Sequence, residues 1–134
     1  MRDGRSVDTT MGFTPLERLV MATRSRSVDP GLLRWLLERD ELTAPRWPTR
    51  SSTSRGCLAL AGSADRREVL ERSDDRARLA LDVDTHRLRA GIAAMAASLG
   101  GLDTLVFTGG VGERAAVRAA AADGLGFLGV ALDT

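Results

Sequence analysis

The chain has 134 residues and a formal net charge of +1, a length that suits one domain built on one core. Its 43% hydrophobic and 28% charged residues match ordinary globular proteins, and the balanced charge gives no electrostatic basis for binding nucleic acid or a membrane. All 19 basic residues are Arg, so a Walker-type phosphate loop and Schiff-base chemistry, both of which need Lys, are excluded within these residues.

Cys57 and His86 are the only residues of their types. No disulfide or Cys/His zinc site is therefore expected within one chain, and no metal ligands are assigned. Residues 1–8 carry charges without an apolar stretch, so no secretory leader is expected and the cytoplasm is the default setting.

Thr14, Pro15 and Glu17 form a helix start: a cap, Pro at the first helical position, and Glu where it completes a capping box. Leu16, Leu19 and Val20 share a face, which predicts a short helix ending near Thr23. Asp29 and Pro30 repeat the start signal, and Leu32, Leu33, Leu36 and Leu37 form the stripe of a second helix ending near Asp40. Arg24 falls between the two, free to reach an anion or to stand as a solvated surface residue.

Periodicity disappears from Glu41 to Arg55, where Pro45, Pro48 and clustered hydroxyls predict a flexible loop over 41–56. Cys57 to Ala61 suits a brief strand, with Cys57 as a small buried side chain, and Ser63 suits the cap of a helical turn through Leu70. From Asp74 to Leu99 the spacing of Leu81, Leu88, Ile92, Met95 and Leu99 predicts a long core helix that Gly100 and Gly101 terminate. Arg78 with Asp82, and Asp84 with Arg87, stand at helical pair spacings. His86 on this helix has no ligating partner at a suitable spacing and reads as a packing or surface residue.

Leu105, Val106 and Phe107 predict a short strand, Gly109, Gly110 and Gly112 a turn, and Glu113 to Ala122 a helix. A glycine turn lets a ligand approach the backbone, and a helix opening behind it offers free N–H groups and a positive dipole end to nucleotide phosphate. Gly110, Gly112 and Ala115 also fit the loose dinucleotide fingerprint, with Asp133 as its acidic residue, so a Rossmann-like fragment is one alternative. A glycine-rich turn with no ligand is the other.

More of the chain takes part in a resemblance. Thr-Met-Gly-Phe-Thr-Pro-Leu-Glu at 10–17, Met-Ala-Thr-Arg-Ser at 21–25, Val-Asp-Pro at 28–30, Ala-Arg-Leu-Ala-Leu-Asp-Val at 77–83 and Gly-Leu-Asp-Thr-Leu-Val-Phe-Thr-Gly-Gly-Val-Gly-Glu at 101–113 resemble, in order and spacing, the later part of the acetokinase family of acetate and propionate kinases. The resemblance implies an α/β fold: part of a ribonuclease-H-like C-terminal lobe of the acetate and sugar kinase, heat-shock cognate chaperone and actin superfamily, helix-rich with a few strands. It implies phosphoryl transfer between ATP and acetate, giving ADP and acetyl phosphate, with Mg²⁺, a short-chain carboxylate as second substrate and a homodimer. Nucleic-acid and membrane partners are not implied.

By position, the resemblance makes Arg24 the arginine that stabilises the transferring phosphoryl group. It makes Gly110, Val111, Gly112, Glu113 and Arg114 the nucleotide-binding turn, and places Asp65, Arg66 and Arg67 near the adenosine. The departures are specific. Arg66 stands where the family has an apolar residue, Asp84 likewise, Arg18 and Arg26 where it has Gly, and Arg114 where it has Asn. The family's His-Leu-Gly-x-Gly loop, catalytic His and Asp, acceptor-binding Arg and late metal-associated Glu have no counterpart here. The expectation is a truncated family member over 1–134, inactive by itself, with a non-catalytic remnant or interaction module as the alternative.

Overall fold

The described residues fold into successive helices, some begun by a side-chain cap and others without one. The computed structural model describes residues 1–10, 21–22, 28–39 and 56–132. Of the helix predicted over 14–23, only Met21 and Ala22 are described, and neither is helical; the rest of it, Arg24, and the loop predicted over 41–56, apart from Gly56, lie outside the described residues. The helices are α1 (Pro30–Glu38), α2 (Cys57–Ala61), α3 (Arg66–Glu71), α4 (Asp75–Leu99), α5 (Gly109–Gly112) and α6 (Ala115–Asp123), followed by a 3₁₀ turn at Gly126–Leu128. The chain divides into two compact units, one comprising Met11–Leu81 and the other Met1–Thr10 with Asp82–Thr134.

In the first unit, α1 starts where expected. Asp29 Oδ1 accepts from the Gly31 N–H at 2.7 Å, and Pro30 needs no amide partner at the first helical position. The leucine stripe is only partly covered: Leu33 and Leu36 are half-buried, whereas Leu32 and Leu37 are exposed. Residues 57–61 form a helix and not the predicted strand. A five-residue apolar run does not distinguish the two from within; its ends do. The N–H groups of Cys57 and Leu58 donate to the carbonyls of Met21 and Ala22 at 2.9 and 3.0 Å. At the other end, Arg72 Nη1 donates to Ala61 O at 2.8 Å and Arg76 Nε to Leu60 O at 3.1 Å. The groups that a short helix leaves unsatisfied are therefore met by other parts of the chain.

Asp65, not Ser63, caps α3, accepting from the Arg67 N–H at 2.8 Å. Ser63 instead accepts from the Asp65 N–H at 3.1 Å and donates its hydroxyl to Glu68 at 2.6 Å. The carboxylate is the stronger acceptor for a helix N–H, which leaves the hydroxyl to tie the approach to the first turn. Ala61, Val69, Ala77 and Ala80 form the core, with Leu60 and Leu81 packed against it.

Asp74 opens α4, accepting from the N–H groups of Arg76 and Ala77 at 3.1 and 3.2 Å. Arg72 also grips it in two bonds of 2.6 and 3.0 Å. The Arg72 hydrogen bond is the main reason the Asp74 carboxyl is pulled from the ordinary 3.8 down to about 2. Its folded value lies below its unfolded one, so the stability Asp74 contributes is complete above the ordinary carboxylate range and is lost as pH falls from about 4 through about 2. Asp74→Asn keeps a capping oxygen and removes the charge. It is expected to lower the melting temperature near pH 7 and to lower it much less near pH 2. An equal loss at both would assign the effect to cap geometry.

In the second unit, α4 ends at a paired stop. Gly100 takes a φ of +78°, its N–H donates to Ala97 O at 3.1 Å, and the Gly101 N–H donates to Ala96 O at 3.0 Å. That double closure needs the left-handed conformation which glycine adopts without a Cβ penalty. The periodic Leu88, Ile92, Met95 and Leu99 are half-buried, while Ala96 is fully buried. Asp84 is 4% exposed, and the buried carboxylate is not left alone. Arg78 pairs with Asp75 at 3.3 Å rather than with Asp82. The core of this unit consists of Ala96, Val117, Ala121, Ala122 and Leu125.

Residues 102–108 do not form the predicted strand. Thr108 is extended at φ −135° and ψ 162°, but among the described residues the only β pairing is an isolated bridge between Arg2 and Arg5. A strand exists through its ladder, and none of the described residues supplies one to this segment, which leaves Val106 73% exposed.

Candidate functional site

The glycine turn is built in two layers. Gly109, Gly110, Val111 and Glu113 are exposed, and Gly112 is buried beneath them. Gly109 has a φ of +73°, which reverses the chain after the extended Thr108. At Gly112 the constraint is space: an added Cβ would stand 3.3 Å from both the carbonyl carbon and the Cβ of Phe107. The Glu113 N–H donates to Gly109 O at 3.1 Å and the Arg114 N–H to Val111 O at 3.3 Å, which closes the turn from inside.

The predicted continuous helix from Glu113 is broken. Residues 109–112 are themselves one helical turn, Arg114 adopts an extended φ of −79° and ψ of 123°, and the longer helix begins at Ala115. A single turn carries little macrodipole, so the attraction expected at its start is reduced, and the exposed backbone of 109–111 is what remains open to a ligand. Arg118, one turn into α6, donates to Gly112 O at 3.3 Å and also to Glu113 O. It takes up carbonyls that a continuous helix would have bonded internally.

Arg114 occupies the N-cap of α6 without any side-chain capping bond. A cation there opposes the helix dipole and leaves N–H groups uncapped. Arg114→Asn is expected to stabilise the chain by about 1 kcal/mol, read as a higher urea midpoint at unchanged slope. No gain would mean that the Arg114 side chain contributes as much as the cap it displaces.

In the first unit, Asp65 is exposed and its carboxylate is engaged as the α3 cap. Arg66 is half-buried and Arg67 exposed on the first turn of that helix. The structure thus brings residues 110–114 together on one turn and residues 65–67 on another, while Arg24 lies outside the described residues. A shallow groove of about 540 Å³ is lined by Ala119, Ala120, Ala122 and Asp123 with Val130 and Leu132, and no site residue expected from the sequence borders it. Sequence reasoning missed Arg118. In the continuous helix expected from Glu113, Arg118 is an interior residue, so no sequence signal marks it.

The acetokinase family profile matches residues 1–134. The chain belongs to the acetokinase family. Among its relatives, acetate kinase of Gloeobacter violaceus is 54% identical over 138 aligned residues, covering 99% of this chain and 34% of that protein. Acetate kinase of Leifsonia xyli is 50% identical, with coverages of 97% and 34%. A propionate kinase structure from Francisella tularensis superposes with a TM-score of 0.85 at 36% identity, covering 94% of this chain and 34% of the other. Acetate kinase of Porphyromonas gingivalis superposes with a TM-score of 0.81 at 38% identity, with coverages of 90% and 31%. The chain therefore spans about a third of the length of these acetokinase relatives, and its helices correspond to part of that fold.

Proposed function

We propose that these residues form the nucleotide-binding part of an acetokinase-family phosphotransferase, which moves the terminal phosphoryl group of ATP to a short-chain carboxylate and leaves ADP and an acyl phosphate. The family match along all of residues 1–134 carries this reading. The turn at Gly110, Val111, Gly112, Glu113 and Arg114 receives the nucleotide through exposed backbone, and Asp65, Arg66 and Arg67 stand toward the adenosine. In the transition state the charge on the transferring group spreads over its oxygens, and Arg24 offsets it with fixed donors. These residues are read as part of a ribonuclease-H-like lobe. The family reading makes the assembled protein a homodimer in the cytoplasm. Among the described residues no helix is long and apolar enough to cross a membrane.

Among the described residues no three His, Cys, Asp or Glu side chains gather to hold a metal ion. Mg²⁺ would be bound together with the nucleotide phosphates. The 134 residues hold one His, His86 on α4, and no His-Leu-Gly-x-Gly loop, so they bind nucleotide without completing the reaction, which needs both substrates positioned in one cleft.

Purified chain given ATP, acetate and Mg²⁺ is expected to form no acetyl phosphate, and to bind ADP without competition from NAD. Acyl phosphate formation abolished by Arg24→Ala would overturn the inactivity; in a complete enzyme that substitution is expected to lower the rate by about 10³ to 10⁵. NAD binding with no preference for ADP would replace this reading with the dinucleotide one. Binding of neither would favour a non-catalytic module.

A further inference from the structure

One arginine of α4 reaches the end of α6. Arg89, half-buried on that helix, donates Nε and Nη2 to the carbonyl of Ala120 at 3.1 and 2.6 Å, and Nη2 lies 3.5 Å from Asp123 Oδ2. Ala120 and Asp123 belong to the last turn of α6, where carbonyls lack helical partners and a cation is favoured by the dipole. Gly124 makes this contact possible. Its φ of −98° is open to any residue, so the backbone does not require glycine there. A Cβ at that position would stand 2.4 to 2.6 Å from Nε, Cζ and Nη1 of Arg89, so the guanidinium occupies the space a side chain would fill. At its other end α6 carries Arg118, which bonds the carbonyls of Gly112 and Glu113.

We propose that Arg89 is a positioning residue for the glycine turn: it fixes α6 from its C-terminal end through the space left by Gly124, and Arg118 passes that constraint to the turn's carbonyls. The ligand part of this inference rests on the function proposed above. The brace itself does not.

Arg89→Met keeps the aliphatic stem and removes the donors. Gly124→Ala expels the guanidinium while suiting the backbone. Each is expected to weaken ADP binding about tenfold, the scale on which one packed element transmits coupling, and to speed amide exchange at Glu113 and Arg114. The double variant is expected to be no worse than Arg89→Met alone, because the methyl group added by Gly124→Ala meets no guanidinium once Arg89 is gone. Arg89→Lys, which can still donate to Ala120 O, is expected to recover part of the affinity. Wild-type-like ADP affinity in Arg89→Met, or effects of the two single variants that simply add, would overturn the proposal. If the wild-type chain binds no ADP, the proposed function fails with the ligand part of this inference; unchanged exchange at Glu113 and Arg114 in Arg89→Met would then overturn the brace, and accelerated exchange would uphold it.

Discussion

Leu125→Ala is expected to destabilise the chain by about 2–5 kcal/mol, a large fraction of the stability of any domain this size. Leu125 is 1% exposed, and it and Val69 are the largest fully buried side chains among the described residues. The other buried apolar side chains of this unit are Val117 and the alanines Ala96, Ala121 and Ala122, and the alanines bury little surface each. Burial energy follows apolar area at roughly 25 cal/mol per Å², so one leucine in such a core contributes more than several alanines. Urea unfolding measures the destabilisation; a loss under about 1 kcal/mol would show a core that relaxes around the change.

The second large effect is expected at Gly112. Gly112→Val places a branched side chain where even a Cβ would be 3.3 Å from the Phe107 backbone, and backbone atoms do not give way as a flexible side chain would. The expected penalty is about 1–3 kcal/mol from overpacking, accompanied by loss of ADP binding, because the buried layer of the turn sets the shape of the exposed one. Gly109 fails differently. A Cβ there meets nothing within 4 Å, and its positive φ alone is the obstacle. Gly109→Ala is expected to cost about 1–2 kcal/mol, whereas Gly109→Asn, a residue that tolerates the left-handed region, is expected to cost less. Melting temperature and ADP titration of the three variants separate the causes. Equal damage from Gly109→Asn and Gly112→Val would contradict a turn constrained by conformation at one glycine and by space at the other.

The sequence announces the parts whose signals are local. Asp29 with Pro30 marks the start of α1, and Gly100 with Gly101 marks the end of α4. The long α4 is legible because its periodicity runs through many turns. Residues 57–61 are ambiguous because what makes them helical comes from elsewhere: carbonyls of Met21 and Ala22 before, guanidinium groups of Arg72 and Arg76 after. The strand expected at 105–107 has the right residue types, but a ladder is a property of two segments, and the described residues contain no second one.

The candidate site divides along the same line. Three glycines in four positions announce the turn, and the resemblance carried by the neighbouring residues announces its family. The break at Arg114 is hidden because Arg is an ordinary helix residue in the interior and a poor one only as a cap. Arg89 and Arg118 are hidden because each acts on a carbonyl whose position depends on the packed fold. Among 19 arginines, composition alone does not single out the two that brace the turn.

The most direct test of the central claim is a thermal melt of the purified chain at rising concentrations of ADP with Mg²⁺. A ligand that binds only the folded state stabilises it by about 2.7 kcal/mol at a hundred times its Kd. The expected result is one cooperative transition whose midpoint climbs with ADP concentration and does not respond to NAD. A cooperative transition that stays fixed at every ADP concentration would contradict it: the chain would then fold without a working nucleotide site, and its family motifs would mark descent alone.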